Sequence, residues 1–292
     1  MIRKIKLLGR IIQFIIDDIK YDISFLKHYD REQEVIFSKL RTYAHVLDKG
    51  INMLPFEKGH GKKIYEKSKE LKSNITNEQI LNDKAFKWSC NVIENYEKKQ
   101  VDDNEKEYEN FNKYEISNEE KLTFYKVIRS RTSCRNYLST KISNEIWNEI
   151  LSIAVDAPSG CCRQASRYYV IEDERLINQL LKNIAGSSGF STTIPYLVCV
   201  TSDTRSYGIQ DRYLPIIDTS LSIENFLLAC TANNIYTTPL NWEHATKHDE
   251  ETVRNLINIP LYERIILFIS AGYSNIVPIK PERVDLKWIR KM

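Results

Sequence analysis

The sequence predicts an α+β protein in which a helical N-terminal extension precedes a domain of mixed helices and strands. Residues 1–100 carry apolar positions at helical spacing, whereas continuous apolar runs typical of buried strands occur at 196–201 and 264–272. A long helical pattern with few charges, residues 216–234, lies between these two strands. Helix–strand alternation around such a helix indicates helices packed on a central sheet.

Length and composition restrict the class of protein. A chain of 292 residues with 42% hydrophobic and 28% charged residues can bury a sizeable core, and its length favours about two domains or one domain with a large extension. The net charge of +3 is too small to argue for nucleic acid. Six cysteines without framework spacing, and no cleavable signal, predict reduced thiols in a cytoplasmic protein.

The N-terminal residues predict several helices. Residues 2–16 are apolar and basic, too short and too charged to span a membrane, so this helix either packs on the protein or lies on a membrane surface. Residues 2–27 are therefore the candidate for peripheral membrane contact. Further helical patterns cover 35–47 and 64–71, and Thr76 begins a capping box that opens a helix through Ile93.

A charge run at 97–120 is either a solvated helix or a linker, and it predicts a domain boundary that separates residues 1–116 from residues 117–292. In the second domain, N-caps at Ser117, Ser143 and Asp173 predict three helices. The remaining elements follow in order: strands at 167–172, 196–201, 237–242 and 264–272, and helices at 216–234 and 249–256. His244 and His248 have the spacing of a helical chelate but lack a third ligand, so no metal site is predicted.

Two short stretches carry the chemistry. Arg129, Arg131 and Arg135 place three guanidiniums and several hydroxyls within nine residues, and Ala157–Gln164 is a tight turn between a predicted helix and a predicted strand. Guanidinium forks match phosphate oxygens in pairs, and hydroxyls with turn amides complete an anion cradle. The alternative interpretation is a helix end whose charges are merely solvated.

The two stretches resemble signatures of the flavin-dependent nitroreductase family. Residues 131–137 are similar to its Arg-Arg-Ser-Ile-Arg-x-Phe opening, and residues 157–164 are similar to its Ala-Pro-Ser-x-x-Asn-x-Gln-Pro segment. Residues 218–229 resemble the central helix of the family, and 272–283 resemble its C-terminal Gly-Tyr-Pro … Arg-x-Pro-Leu segment. The resemblance implies a nitroreductase-like α/β/α sandwich with a central, mainly antiparallel sheet.

The resemblance also implies a cofactor and a mechanism. The protein is expected to be a homodimer with FMN at the subunit interface, taking hydride from NAD(P)H and passing it by ping-pong transfer through flavin N5 to a small-molecule acceptor. No catalytic side chain is required. The implied FMN contacts are Arg131, Thr132, Ser133, Arg135, Pro158, Ser159, Gly160, Cys162, Gln164, Pro239, Leu240, Asn241, Lys280 and Arg283.

The implied contacts differ in role. Arg131, Ser133 and Arg135 would meet the phosphate, ribityl chain or pyrimidine edge, while Lys280 and Arg283 would add charge at the phosphate. Residues 158–160 would face the flavin of the other subunit, and the backbone of 239–241 would face N5. Arg135 suits the negative charge that develops at N1 and C2–O.

Some positions depart from the family pattern. Cys162 stands in place of the usual Asn, and Asn233-Asn-Ile235 replaces a Gly-Leu-Gly that gives a more permissive backbone. These departures motivate an alternative, a non-catalytic flavin-binding scaffold or sensor. The vicinal pair Cys161 and Cys162 is either redox-active or chemically idle.

A further resemblance lies in the extension. His45–Ile51, followed by Gly59-His-Gly61, is similar to a His-x-Leu-Glu-Lys-Gly-Leu … Phe-Gly segment found ahead of some nitroreductase domains in bacterial surface-polysaccharide gene clusters. This favours an acceptor that is a sugar or a polysaccharide precursor. No chemistry is assigned to His45, which also fits a helix-end histidine bonded to a local carbonyl.

Overall fold

The computed structural model describes residues 12, 15, 16, 19, 32–53, 56–101 and 115–291. The predicted helix at 2–16 and the membrane-contact segment 2–27 lie outside these residues except for Ile12, Ile15, Ile16 and Ile19, which are helical and exposed. Residues 102–114 of the charge run also lie outside them. Within the described ranges, no helix is long and apolar enough to cross a membrane.

The chain divides into two compact units, each built from segments that are not contiguous in sequence. The first combines residues 1–113 with 158–165 and 203–218, and the second combines 114–157, 166–202 and 219–292. The predicted boundary at residues 116 and 117 stays a prediction.

The first unit is helical. Its elements are α1 (Gln33–Ile51), α2 (Lys62–Ser73), α3 (Glu78–Asn82), α4 (Lys84–Val101) and 3-10 turns at Gly160–Cys162, Thr204–Ser206 and Ile209–Asp211. Its apolar core includes Leu40 and Leu47 of α1 with Val92 and Ile93 of α4. The helical stripes of the sequence therefore meet one another, as amphipathic helices require.

The start of the third helix differs from its prediction. Asn77 is the N-cap, because its side chain accepts hydrogen bonds from the backbone N–H groups of Gln79 and Ile80. The backbone N–H of Thr76 instead donates to Gln33 Oε1 over 2.7 Å. The helix ends at Asn82, and a separate helix, α4, carries the pattern onward. A long-range contact replaced the local capping box.

The second unit contains the four predicted strands, β1 (Ser166–Ile171), β2 (Tyr196–Asp203), β3 (Tyr236–Leu240) and β4 (Glu263–Gly272). They form one sheet in the order β1-β2-β4-β3, and the β1–β2 and β3–β4 pairs are antiparallel. Alternate residues of β2 enter opposite cores: Leu197 and Cys199 one, Val198 and Val200 the other. Both faces of the sheet are therefore covered.

Helices form the two outer layers. This unit contains α5 (Asn118–Ser130), α6 (Asn144–Val155), α7 (Glu174–Leu180), α8 (Leu214–Ala232, of which 219–232 belong here), α9 (Lys247–Ile257) and α10 (Leu286–Ile289). Residues of α6 and α8 share the core that contains Val198, whereas residues of α7 and α9 share the core that contains Leu197. The predicted caps at Ser117, Ser143 and Asp173 are confirmed. The predicted α/β/α sandwich is likewise confirmed.

Helix α8 has few charges, yet one of its apolar faces is exposed. Ile217 and Leu221, one helical turn apart, are 51% and 43% exposed. Helix α5 has no buried residue at all and exposes Leu122, Phe124 and Ile128. Apolar helix faces of this size normally pack against a partner.

Gly272 ends β4 where the chain leaves no room for a side chain. A Cβ at this position would lie 2.7 Å from Pro195 Cγ and 3.1 Å from Tyr137 Cδ1. The pyrrolidine ring of Pro195 cannot rotate away, so glycine is required here for close packing.

Candidate functional site

Four cations gather where α5 ends. The Lys280 ammonium donates a hydrogen bond to the carbonyl oxygen of Arg129. Desolvation first, and then the positive charges of Arg283, Arg131 and Arg129, lower the pKa of Lys280. We call Arg129, Arg131, Lys280 and Arg283 the cationic cluster. Both desolvation and nearby positive charges disfavour the protonated form of a lysine.

The cationic cluster holds its charge without an anionic partner. Among the residues that the structure describes, none of the four forms an ion pair with a carboxylate. Arg129 instead lies 5.8 Å from the ring centre of Tyr125, and Arg283 Nη1 donates to the Pro281 carbonyl over 3.4 Å. Concentrated, uncompensated cationic donors are the chemistry that a phosphate dianion requires. The cluster therefore fits the phosphate end of FMN.

The first arginine stretch runs beside β3. Ser133 pairs with Thr237 in a parallel bridge, and Thr238 Oγ1 donates to the Cys134 carbonyl over 2.5 Å. The buried Tyr137 hydroxyl lies 2.9 Å from Ser270 Oγ, and burial raises the pKa of Tyr137 to about 12, so the phenol stays neutral. Hydrogen bonds and a β-bridge thus hold the arginine stretch against β3 within this unit.

Residues 239–241, at the end of β3, differ in exposure. Leu240 is 2% exposed and packs in the core, so its side chain is not available to a cofactor. Pro239 and Asn241 are exposed, and Asn241 pairs with Ala185 in an antiparallel bridge. The contact of the 239–241 backbone with a cofactor stays a prediction. Thr132 is buried and Arg135 is exposed.

Asn234 lies in the segment that replaces the Gly-Leu-Gly of the family pattern. It takes the left-handed conformation with φ of 56°, immediately after α8. The Ile235 N–H donates to the Cys230 carbonyl over 2.8 Å, and the Asn234 N–H donates to the Thr231 carbonyl over 3.1 Å. This is a Schellman turn, which asparagine tolerates better than other residues with side chains. The lost Gly-Leu-Gly therefore leaves the left-handed turn accessible.

The second predicted stretch, residues 158–164, is a turn of the first unit. The Gly160 N–H donates to Asp218 Oδ2 over 3.0 Å, and the Gln164 N–H donates to Ser159 Oγ over 3.1 Å. Cys161, Cys162 and Gln164 all have positive φ, between 48° and 54°. Three non-glycine residues in this region within four positions are rare, and surrounding contacts must hold them there.

Helix α1 supplies those contacts. The Arg41 side chain is buried, and it donates from Nη2 to the Arg163 carbonyl over 2.6 Å and from Nε to the Cys162 carbonyl over 3.4 Å. One turn further along, His45 Nδ1 lies 3.5 Å from Cys162 Sγ. Sequence reasoning missed Arg41 altogether and found no partner for His45, because more than one hundred residues separate these positions from the turn.

The predicted site residues thus fall into two groups, each within its own compact unit. Arg131, Ser133, Lys280 and Arg283, with residues 239–241, belong to the second unit, whereas 158–164 belong to the first. Their roles toward a cofactor stay predictions.

Other candidate groups carry less chemistry. Cys199 and Cys230 are fully buried, and burial raises the pKa of both thiols. His244 precedes Thr246, the N-cap of α9, so it does not share a helix face with His248. The described part of the chain contains no group of three or more His, Cys, Asp or Glu arranged to hold a metal ion.

Comparisons with known proteins point to one family. Residues 128–192 match the model of the nitroreductase family. A protein of Archaeoglobus fulgidus, provisionally named an NADH dehydrogenase/NAD(P)H nitroreductase, is 29% identical over 157 residues, which are 51% of this chain and 83% of the relative.

Solved structures share the fold. A Bacteroides thetaiotaomicron protein with the same provisional name is 20% identical, with a TM-score of 0.51 over 58% of this chain and 96% of its own. An Exiguobacterium sibiricum protein, provisionally named a nitroreductase and solved in complex with FMN, is 18% identical, with a TM-score of 0.52 over 58% of this chain and 96% of its own.

The layered sheet and these structural likenesses define a nitroreductase-like α+β protein. The family match begins at the end of α5 and runs through the arginine stretch, so this part of the chain is similar to the nitroreductase family.

Proposed function

We propose that this protein is an FMN-dependent oxidoreductase that takes electrons from NAD(P)H. The observation that carries this proposal is the cationic cluster, which lies partly within the family match and has no carboxylate partner among the described residues. When bound, FMN supplies the hydride chemistry, with donor and acceptor used in turn. The acceptor is a small molecule.

The chain's own residues would bind and orient the cofactor. Arg131, Lys280 and Arg283 would hold the phosphate, and Ser133 and Arg135 the ribityl chain or pyrimidine edge. The backbone of 239–241 would lie against the reacting edge of the flavin, because the Leu240 side chain is committed to the core. Residues 158–160, with Cys162 and Gln164, would contact the flavin bound by the partner subunit.

An absorbance spectrum of the purified protein tests this proposal directly. We expect flavin bands that bleach when NADH or NADPH is added anaerobically. Arg131→Ala and Arg283→Ala should each weaken FMN binding about 10- to 100-fold, since a charge-assisted hydrogen bond contributes about 1.5–3 kcal/mol. Arg290→Ala, an exposed cation of the same C-terminal segment, is the matched control.

Two results would contradict the proposal. Protein that neither contains nor takes up FMN would remove the cofactor assignment and leave only the family and the fold. Normal FMN affinity in both arginine variants would show that the phosphate lies elsewhere.

A homodimer is part of the proposal. Leu122, Phe124 and Ile128 of α5 are 64%, 56% and 39% exposed, and Leu221 of α8 is also exposed. Burial of such faces against a second copy would remove apolar surface from water. Sedimentation should give twice the monomer mass, and Phe124→Glu should shift the equilibrium toward monomer, while Thr123→Glu, on a different side of the same helix, should not.

A non-catalytic flavin protein is the second candidate, favoured by Cys162 in place of the usual Asn. Flavin bands that persist after anaerobic NADH and NADPH would support it. Retained turnover would exclude this non-catalytic candidate.

The N-terminal segment bears on location and acceptor. We propose a cytoplasmic protein that acts on a sugar or a surface-polysaccharide precursor, on the basis of the likeness at His45–Ile51. The exposed isoleucines at 12, 15, 16 and 19 favour a peripheral membrane contact by residues 2–27. Equal co-sedimentation with anionic liposomes, with and without residues 2–27, would exclude that contact.

A further inference from the structure

One face of α1 presents three charged or titratable side chains at helical spacing. Arg41, His45 and Asp48 are separated by four and then three residues, so they lie along one side of the helix. Arg41 and His45 contact the turn at 160–163, and Asp48 is close enough to influence the Cys162 thiol. All of these residues belong to the first compact unit.

The turn holds Cys162 in a fixed position. Arg41 binds the carbonyls of Cys162 and Arg163, and Arg163 is itself anchored by Nε to the Ser206 carbonyl over 2.8 Å and by Nη2 to Asp211 Oδ2 over 2.8 Å. With φ of 54° at Cys162, this anchoring keeps a left-handed residue in place. The backbone that carries the thiol is thereby fixed beside α1.

The neighbour of the Cys162 thiol on α1 is the His45 imidazole, whose Nδ1 lies 3.5 Å from Sγ. Burial first, and then the neighbouring Cys161 and the Asp48 carboxylate, raise the pKa of the Cys162 thiol, whereas Arg41 lowers it. The thiol therefore rests protonated. A buried thiol becomes a nucleophile when an adjacent base takes its proton, and the imidazole is the base within reach.

We propose that Cys162 and His45 form a thiol–imidazole pair that adds to electrophilic alkenes conjugated to a carbonyl, such as enones and quinones. The proton of the thiol moves to His45 Nδ1, and a sulfur electron pair forms the C–S bond at the β-carbon. The C=C π pair shifts to give an enolate, which takes the proton back from His45 at the α-carbon. The addition is redox-neutral and needs no further reactant.

Competitive alkylation with N-ethylmaleimide, read out by peptide mass mapping, tests the pair. Cys90 is the internal reference, because it is also partly exposed and no hydrogen bond to its thiol occurs among the described residues. At pH 7 we expect Cys162 to react about tenfold faster than Cys90 or Cys161, since the adjacent imidazole removes the Cys162 proton as the C–S bond forms. His45→Gln should lower the Cys162 rate about tenfold and leave the Cys90 rate unchanged.

The wild-type comparison alone can overturn the proposal. If Cys162 reacts no faster than Cys90 in the wild-type protein, the pair is not reactive, even if His45→Gln fails to fold. An unchanged Cys162 rate in folded His45→Gln would show that the imidazole plays no part. Flavin content is measured in the same samples, so loss of FMN and loss of thiol reactivity are distinguished.

Discussion

The arginines of the two compact units differ in how their charge is satisfied. Arg205 of the first unit, with a side chain 3% exposed, contacts the carboxylates of Asp203, Glu32 and Glu34. Arg131 and Arg283 of the second unit have no carboxylate partner in the part of the chain that the structure describes. The first arrangement stabilises a fold, whereas the second leaves cationic groups able to bind an anion. The number of arginines does not distinguish the two arrangements, whereas the presence or absence of carboxylate partners does.

The largest expected effect on stability comes from removing Arg205, whose charge is paired with carboxylates. Arg205→Ala leaves the Asp203 carboxylate, 4% exposed, without its buried counter-charge. We expect a loss of about 3–5 kcal/mol in the free energy of unfolding, measured with urea. Arg175→Ala, an exposed arginine of α7, should change stability by less than about 0.5 kcal/mol. A similar small loss in both variants would show that the Arg205 contacts contribute little.

A smaller effect is expected from binding of an anion to the cationic cluster. Inorganic phosphate at about ten times its Kd should stabilise flavin-free protein by about 1.4 kcal/mol, because it binds only the folded cluster. Thermal unfolding in phosphate, compared with sodium chloride at equal ionic strength, measures this difference. The Arg131→Ala/Arg283→Ala double variant should show no phosphate-specific rise in Tm. A rise of equal size in that variant would place the anion elsewhere.

The smallest effect concerns the pH dependence of Lys280. Its folded-state pKa is lowered from 10.5, so just below pH 10.5 the unfolded state binds more protons than the folded state. Stability contributed by this residue therefore rises with pH in that window. Urea unfolding at several pH values should show a shallow rise for the wild type that is missing in Lys280→Met. Parallel profiles would indicate that the cluster charges do not interact.

Much of the second unit follows from local sequence. Each predicted strand is present within a few residues, because β-branched and aromatic runs bounded by turns specify strands. The caps at Ser117, Ser143 and Asp173 also formed, since a capping side chain reaches only two or three residues. The capping box predicted at Thr76 is absent, because the Thr76 backbone N–H donates to the Gln33 side chain instead.

The site was only partly predictable for the same reason. The arginine stretch could be recognised because its chemistry is contiguous in sequence. The contact of Arg41 and His45 with the 160–163 turn joins positions more than one hundred residues apart, and no short pattern encodes it. The left-handed Cys161, Cys162 and Gln164 were equally hidden, because none of these residue types favours that conformation by itself. Tertiary contacts decide both features.

The discontinuous first unit has a consequence for biosynthesis. Glu32 and Glu34 of the N-terminal region meet Arg205 only after up to 173 further residues have been made. At ribosomal speeds of about 5–20 residues per second, that delay is roughly 10–35 s. During this interval the early helices expose surfaces whose partners are still unsynthesised. The early helices are thus open to chaperones and proteases until residues 203–218 have left the ribosome.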